Sequence, residues 1–515
     1  MKNYIMGIDI GTTGSKAMVV TLDGVILGSG YREYSNLLTY PEPNACEMSV
    51  SSLMDEVCDT IADAIADSGV NSAHIAAISF SVQRCTFTLL DEDYEPIRNM
   101  FYVWTDSRAE SVIEEMHQCM DPDYMFSITG MPVTRTFSVE KLFWIKKQQP
   151  EIYKKARHFA LVDAYAMWYF GADQFCTETT NATASGMMDV RTLEWNTEVI
   201  DALELRMDLL PPLVSPGSVV GMVKKEISKR TGLKEGTLIV AGSGDQQAAS
   251  MGAGIIEDGS MSLTLGTVCE LAVGLAKPEF AKMKNLMVPC TPVLGIFEIE
   301  GNQVSGATCY RWARDTICTA EVALGEAMGV DPYNLMEHYI NKSVPGSNGV
   351  IFLAGLFGTG YPTQNAEATG AYVGLKYSTT RADMLRAVIE GVTLESRFMY
   401  ESIKALGVQT KDSLTITGGA TKSPAWCQTI ADIMGLTLHT LEVSEASIIG
   451  VATLAAIGAG LLKDTREGVA RMVRLKDEII PIPENVAIYD KIYPIYRDTY
   501  YALDDAGIYL KLAGL

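Results

Sequence analysis

Three short segments hold residue types that could move a phosphoryl group. The first is Asp9-x-Gly11-Thr12-Thr13-x-x-Lys16. A glycine-rich turn lets backbone N–H groups approach a phosphate without a Cβ in the way, and threonine hydroxyls add donors. An aspartate at the end of the preceding strand can hold Mg2+ directly or through water. Taken alone, the segment reads equally well as an ordinary polar turn. It is not a Walker loop, which needs G-x-x-x-x-G-K-[ST].

The second segment is Gly242-Ser243-Gly244-Asp245-Gln246-Gln247, followed by the small residues Ala248, Ala249 and Gly252. A strand, Thr237 to Ala241, is expected to enter a glycine turn and then a helix. Asp245 then reads either as the N-cap of that helix or as a carboxylate aimed at a hydroxyl that could give it a proton. The third runs Gly418-Gly419-Ala420-Thr421-Lys422-Ser423-Pro424, with Trp426 close behind. A strand from Ser413 to Thr417 would meet a turn bare enough for a nucleotide base or ribose to lie against the backbone. Without the other two segments, a tight strand–helix connection is the better reading.

Elements must position these segments. Tyr4 to Ile8 and Lys16 to Val20 read as strands around the Gly11 turn. Asp23-Gly24 is a hairpin signal before a third strand at Val25 to Leu27. The pattern recurs at Met261 to Leu265, Gly266-Thr267, and Cys269 to Val273. Two strand–Gly-Thr–strand units predict two related domains, 1–250 and 251–515. The helices expected at Leu53 to Ala66 and Arg108 to Met116, mixed with strands at His74 to Ser81 and Thr86 to Leu90, give an α/β class. The cleft between two such domains is a usual place for a ligand.

Bulk properties narrow the partners. The 515 residues are 48% hydrophobic and 20% charged, which fits a globular protein of at least two domains. A net charge of -22 argues against a nucleic-acid binder, whose affinity rests on Lys and Arg. The cysteines form no C-x-x-C pair, so reduced thiols in the cytoplasm are expected. The apolar run before Asp9 is too short for a signal peptide. Ile448 to Leu462 falls short of the ~20 residues a membrane span needs and reads as a buried helix. The expected partners are a small sugar or polyol and at most a second copy of the chain, with no nucleic acid and no membrane.

Taken together, the chain resembles the FGGY carbohydrate kinase family, relatives of glycerol kinase and xylulokinase. The three segments match the family's first phosphate, catalytic and adenosine segments in order. Leu265-Gly266-Thr267 resembles its second phosphate segment. Lys141-Leu142-x-Trp144-Ile145 and Gly370 to Glu390 resemble its two signatures. The resemblance implies two actin-like, ribonuclease-H-like domains with a catalytic cleft between them. The first would carry substrate and first phosphate segments, the second the other phosphate and adenosine segments. It implies Asp245 as general base and Asp9 at Mg2+. It further implies ATP contacts from Gly11, Thr12, Thr13, Lys16, Gly266, Thr267, Gly418, Gly419 and Ala420.

The resemblance also bears on the substrate. Val82-Gln83-Arg84 matches a glycerol kinase segment, but Cys85 replaces that family's Glu, and Thr136 stands where a substrate-contacting Tyr is usual. Trp104-Thr105-Asp106-x-Arg108 resembles a xylulokinase segment. A Trp face covers sugar C–H edges while a carboxylate accepts hydroxyls. The implied substrate set is therefore Gln83, Arg84, Trp104, Asp106, Asp245 and Gln246, around a xylulose-like ketose or linear polyol, with glycerol as the alternative. A non-catalytic nucleotide- and sugar-binding regulator of the same fold is the rival, and such a binder would not need Asp245. The tyrosines at 489, 493, 496 and 500, at helical spacing, read as a packing stripe.

Overall fold

The computed structural model describes residues 3–514. The chain forms two compact units. The first gathers residues up to Glu257 with Leu275–Glu298 and Glu445–Arg474; the second gathers Asp258–Gly274, Ile299–Ser444 and the chain from Leu475 onward. The sequence boundary near residue 250 falls close to the end of the first long segment, and two later segments pack with the first unit.

In the first unit, the hairpin strands β1 (Tyr4–Ile10), β2 (Gly14–Thr21) and β3 (Ile26–Glu33) join β4 (Ile75–Val82), β5 (Val219–Met222) and β6 (Leu238–Gly244). Their order is β3-β2-β1-β4-β6-β5. β1, β4 and β6 run parallel, and both outer pairings are antiparallel. β4 is buried at every position, the signature of a central strand covered on both faces.

The second unit repeats the plan. Strands β7 (Met261–Leu265), β8 (Cys269–Leu275), β9 (Phe297–Gln303), β10 (Ser413–Gly418), β11 (Thr437–Leu441) and β12 (Leu475–Ile479) lie in the order β9-β8-β7-β10-β11-β12. A hairpin is again followed by two parallel strands and an antiparallel edge. The two strand–Gly-Thr–strand units therefore open topologically equivalent sheets.

Helices cover both sheets. In the first unit, Val50–Ser68 packs on β2 and β3, with Ser49 capping it through Ser52 N. The helix Ala446–Gly458, expected as a buried segment, packs on β1, β4 and β6 and against the helix Asp245–Gly252. Its glycine permits a backbone-close crossing: a Cβ on Gly450 would stand 2.0 Å from the Ala248 carbonyl oxygen, and one on Gly252 1.9 Å from that of Ala446. In the second unit, Arg381–Ala405 opens with a Thr380/Asp383 capping box. The helix Pro483–Asp505 docks through the tyrosine stripe: Tyr489 donates to Glu390 at 2.7 Å and Tyr496 to Glu395 at 2.6 Å. No described helix is long and apolar enough to cross a membrane.

Candidate active site

Strand register assembles the first-unit site. Ile10 pairs with Val82, and Val82 with Gly244, so three parallel strands end in line. The Gly11–Thr13 turn, Gln83–Arg84 and Asp245 all leave the same carboxyl edge, where open α/β sheets place ligands. The turn is closed by Gly11 N donating to the Gly14 carbonyl at 3.0 Å. Asp9 lies at its base and accepts from Ser81 Oγ at 2.5 Å. Burial pushes its carboxyl up to about 6; the charges of Asp245 and Glu445 add to the rise, and Ser81 and Lys16 oppose it. Two acidic neighbours and a half-buried carboxylate make a place that favours a cation.

Asp245 is the first helical residue, not the N-cap that is the alternative to a base. Strand β6 runs on through Gly244, which takes the cap position. The Asp245 Oδ1 instead accepts from Gln246 N at 2.9 Å and stands 3.3 Å from Arg84 Nε. The Asp245 side chain is 39% exposed, so a reactant can reach it, while Arg84 is only 11% exposed. Gly244 leaves room for its neighbours: a Cβ would meet the side chains of Gln247 at Oε1, 2.7 Å, and Arg84 at Cδ, 2.8 Å.

The remaining first-unit candidates separate into two groups. Trp104 is 42% exposed, against the alternative of a core aromatic. Its indole N–H donates to Thr12 Oγ1 at 2.8 Å, and Thr12 donates to Gln83 Oε1 at 3.1 Å. Gln246 is half-buried beside Asp245. Gln83 is buried and its amide donates to the Gly11 carbonyl at 3.1 Å, so it braces the turn. Asp106 is a correction. It is 2% exposed, and its carboxylate accepts from Arg108 and from Cys46 N at 2.9 Å. Arg108 also binds Glu42 and Glu47, so Asp106 belongs to a buried ion network rather than to a sugar-facing surface. Lys16 Nζ pairs with Glu445 Oε2 at 2.6 Å and fastens β2 to the returning helix.

In the second unit, Leu265 pairs with Gly418, so the Gly266–Thr267 and Gly418–Ala420 turns emerge side by side. Gly266 N donates to the Val268 carbonyl at 3.0 Å, repeating the Gly11 closure. Thr264 and Thr417 hydroxyls meet at 2.9 Å beneath the turns. Gly418 has φ 91°, and a Cβ there would meet the Leu265 carbonyl oxygen at 2.4 Å. Gly419 faces open space, and Ala420 is buried behind it. Ser423 caps the following helix through Trp426 N, with Pro424 in its first turn.

Sequence reasoning missed several residues. Ser81 and Glu445 shape the Asp9 recess, but neither stands in a glycine turn that would have marked it. In the sequence, Lys141 stands out only by its place in a family signature. It is buried, and its ammonium donates to the Thr136 carbonyl and, at 3.5 Å, to that of Cys85. Burial pushes it down to about 8. It thereby holds the chain just after Arg84, where Cys85 has φ 60°. Cys85 Sγ donates to the Ala184 carbonyl at 3.2 Å.

Comparison with known proteins bears on this geometry. Residues 4–252 match the family model described as the N-terminal domain of the FGGY family of carbohydrate kinases, and residues 261–459 match that of the C-terminal domain. The autoinducer-2 kinase of Salmonella choleraesuis (strain SC-B67) is 26% identical over 523 residues, covering 99% of this chain and 97% of that one. Among solved structures, the ligand-bound xylulose kinase of Lactobacillus acidophilus superposes with TM-score 0.87 at 25% identity, covering 99% of both chains. The gluconate kinase of the same organism superposes with TM-score 0.86 at 25% identity, covering 97% of this chain and 98% of that one.

Proposed function

From the premise that this chain belongs to the FGGY family of carbohydrate kinases, we propose that it phosphorylates a xylulose-like ketose or another linear polyol, with Asp245 as general base. The chain is a carbohydrate kinase that transfers phosphate from ATP to a sugar. Phosphoryl transfer asks the protein for alignment, charge neutralisation and a proton acceptor.

The observation that carries the reading is the reachable Asp245 carboxylate, set on the same sheet edge as the Gly11 turn and flanked by Arg84. As the substrate oxygen attacks the γ-phosphorus, its proton passes to an Asp245 oxygen and ADP leaves. Arg84 orients the carboxylate. Trp104 offers a ring face to the sugar, while its N–H steadies Thr12 in the phosphate turn. In the second unit, Gly266–Thr267 would serve phosphate and Gly418–Ala420 adenosine.

The residues present fit a divalent cation, since Asp9 is a hard oxygen donor crowded by Asp245 and Glu445. Asp9 would hold Mg2+, and the ion would neutralise charge on the phosphates.

The substrate reading rests on what replaces the glycerol pattern. Cys85 is buried and occupied with the Ala184 carbonyl, so no carboxylate stands there for a polyol. The test is ADP release with a panel of glycerol, erythritol, D-xylulose, gluconate and autoinducer-2. A ketose or longer polyol should exceed glycerol in kcat/KM, because a missing hydroxyl leaves polar partners unpaired. Glycerol winning would overturn the substrate assignment. For the base, Asp245→Asn keeps size and the contact to Gln246 N but cannot take the proton. Its kcat should fall roughly 10²–10⁴-fold with little change in melting temperature. Turnover within a few-fold of the parent would remove Asp245 from the role.

A further inference from the structure

Beneath the Asp245 turn lies a chain of buried polar groups that the proposed mechanism does not use. Strand β6 loses register with β4 between Val240 and Ser243, just before the turn. Such irregularities re-aim a side chain at the end of a strand. At this break, Gly244 N is held by a side chain: it donates to Thr180 Oγ1 at 2.9 Å. The Thr180 hydroxyl gives its own proton to Glu178, at 2.9 and 2.8 Å from the two carboxylate oxygens. Ser243 Oγ lies 2.9 Å from Thr180 Oγ1 and donates to the Gly244 carbonyl at 3.1 Å. The Thr180 hydroxyl thus donates to Glu178 and accepts from Gly244 N, with Ser243 Oγ against it.

Glu178 is fixed in turn. It accepts from Thr180 N and Asn181 N, both at 2.6 Å, while its own backbone N–H donates to Asp163 Oδ2 at 2.9 Å. Asp163 also accepts from Thr177 Oγ1 at 2.7 Å and from Asn181 Nδ2 at 3.1 Å. Asp163, Glu178, Thr180, Asn181 and Ser243 are all 2% exposed or less. Burying two carboxylates is costly, and burial pushes both upward. An apolar filling would serve stability as well or better. What the network achieves is a fixed place for the Gly244 peptide, whose next residue is Asp245.

We propose that Thr180, held by Glu178, is a positioning residue that sets the Gly244 peptide and so aims the Asp245 carboxylate at the substrate hydroxyl. The proposal rests on the reading of Asp245 as base. Misplacing a reacting group by about 1 Å can cost on the order of 10²-fold in rate.

The test compares Thr180→Val, Thr180→Ser and Ser243→Ala in the full chain, alone and with Asp245→Asn. Hydrogen exchange of peptides spanning residues 240–250 reads the Gly244 anchor without any substrate. Turnover is read with ATP and the best acceptor of the panel. Thr180→Val should speed exchange at Gly244 and lower kcat roughly 10–100-fold with KM within a few-fold. Thr180→Ser should restore both, and Ser243→Ala should show a smaller loss. In the Asp245→Asn background, Thr180→Val should add almost nothing, because it acts through a carboxylate no longer present. Parent-like kcat in Thr180→Val, or the same fold loss with and without Asp245, overturns the proposal while leaving the base intact. An active Asp245→Asn overturns the base itself. If Thr180→Val does not fold, parent-like turnover in Ser243→Ala together with an inactive Thr180→Ser refutes a hydroxyl anchor.

Discussion

Asp9→Asn should make the protein more stable and nearly inactive, and the size of the gain follows from the recess. The Asp9 carboxyl ionises near 3.8 in an unfolded chain and near 6 in the folded one. Between those values the folded state keeps a proton that the unfolded state has released. Stability therefore falls as pH rises from about 4 to 6 and is level above that. At about 1.4 kcal/mol per pH unit, ionised Asp9 costs the fold about 3 kcal/mol at pH 7.5. Solvent reaches part of this half-buried side chain, so that figure is an upper bound. Asparagine keeps the acceptor for Ser81 and removes the charge. In buffer with chelator at pH 7.5, Asp9→Asn should melt higher by up to ~5 °C, and the gap should close as pH approaches 4. Turnover with Mg2+ and ATP should meanwhile drop by orders of magnitude, as the metal role proposed for Asp9 requires. Equal melting at pH 7.5, or a gap that does not change with pH, would refute the reasoning.

Other outcomes follow from single contacts. Arg108→Met strands the buried carboxylates of Asp106 and Glu47 and should cost about 3–5 kcal/mol in chemical unfolding. Trp104→Phe keeps a ring but loses the donor to Thr12, so the KM for ATP should rise a few-fold. Trp104→Ala should instead raise the KM for the acceptor more steeply; steady-state kinetics with each substrate varied separates the two. Gly450→Ala forces a Cβ to 2.0 Å from the Ala248 carbonyl oxygen, so the helix carrying Asp245 must shift. Both thermal stability, by about 1–3 kcal/mol, and kcat should fall.

What was legible in the sequence was local. Glycine turns after apolar runs announce themselves through backbone chemistry, so the Gly11, Gly266 and Gly418 segments and the equivalence of the two sheets could be read directly. Side-chain direction is tertiary and could not. Gln83 and Asp106 have the right chemistry for a polyol, yet one braces a turn and the other neutralises Arg108, and only packing decides that. Asp245 as the first helical residue rather than the cap depended on how far β6 runs, a boundary shift of one residue. The stretch Thr177 to Thr183 carries no motif, and its partners Asp163 and Ser243 are distant in sequence. Glu445 drew no notice because the pairing with Lys16 spans 429 residues.

That last separation has a consequence for how the protein is made. The first unit begins to emerge from the ribosome with β1, yet the helix covering β1, β4 and β6 arrives only with Ala446–Gly458. Arg471, also late, bonds Asp23 across 448 residues. Until then a sheet built for burial on both faces lacks one of its covers, and such exposed apolar surface invites aggregation. The second unit must be threaded out before the first can finish, so the order of synthesis is not the order of completion. A nascent chain stopped near Ser444 would hold every candidate site residue of the first unit and still lack the layer that closes it. Chaperone capture is therefore expected to be longest for the half that is translated first.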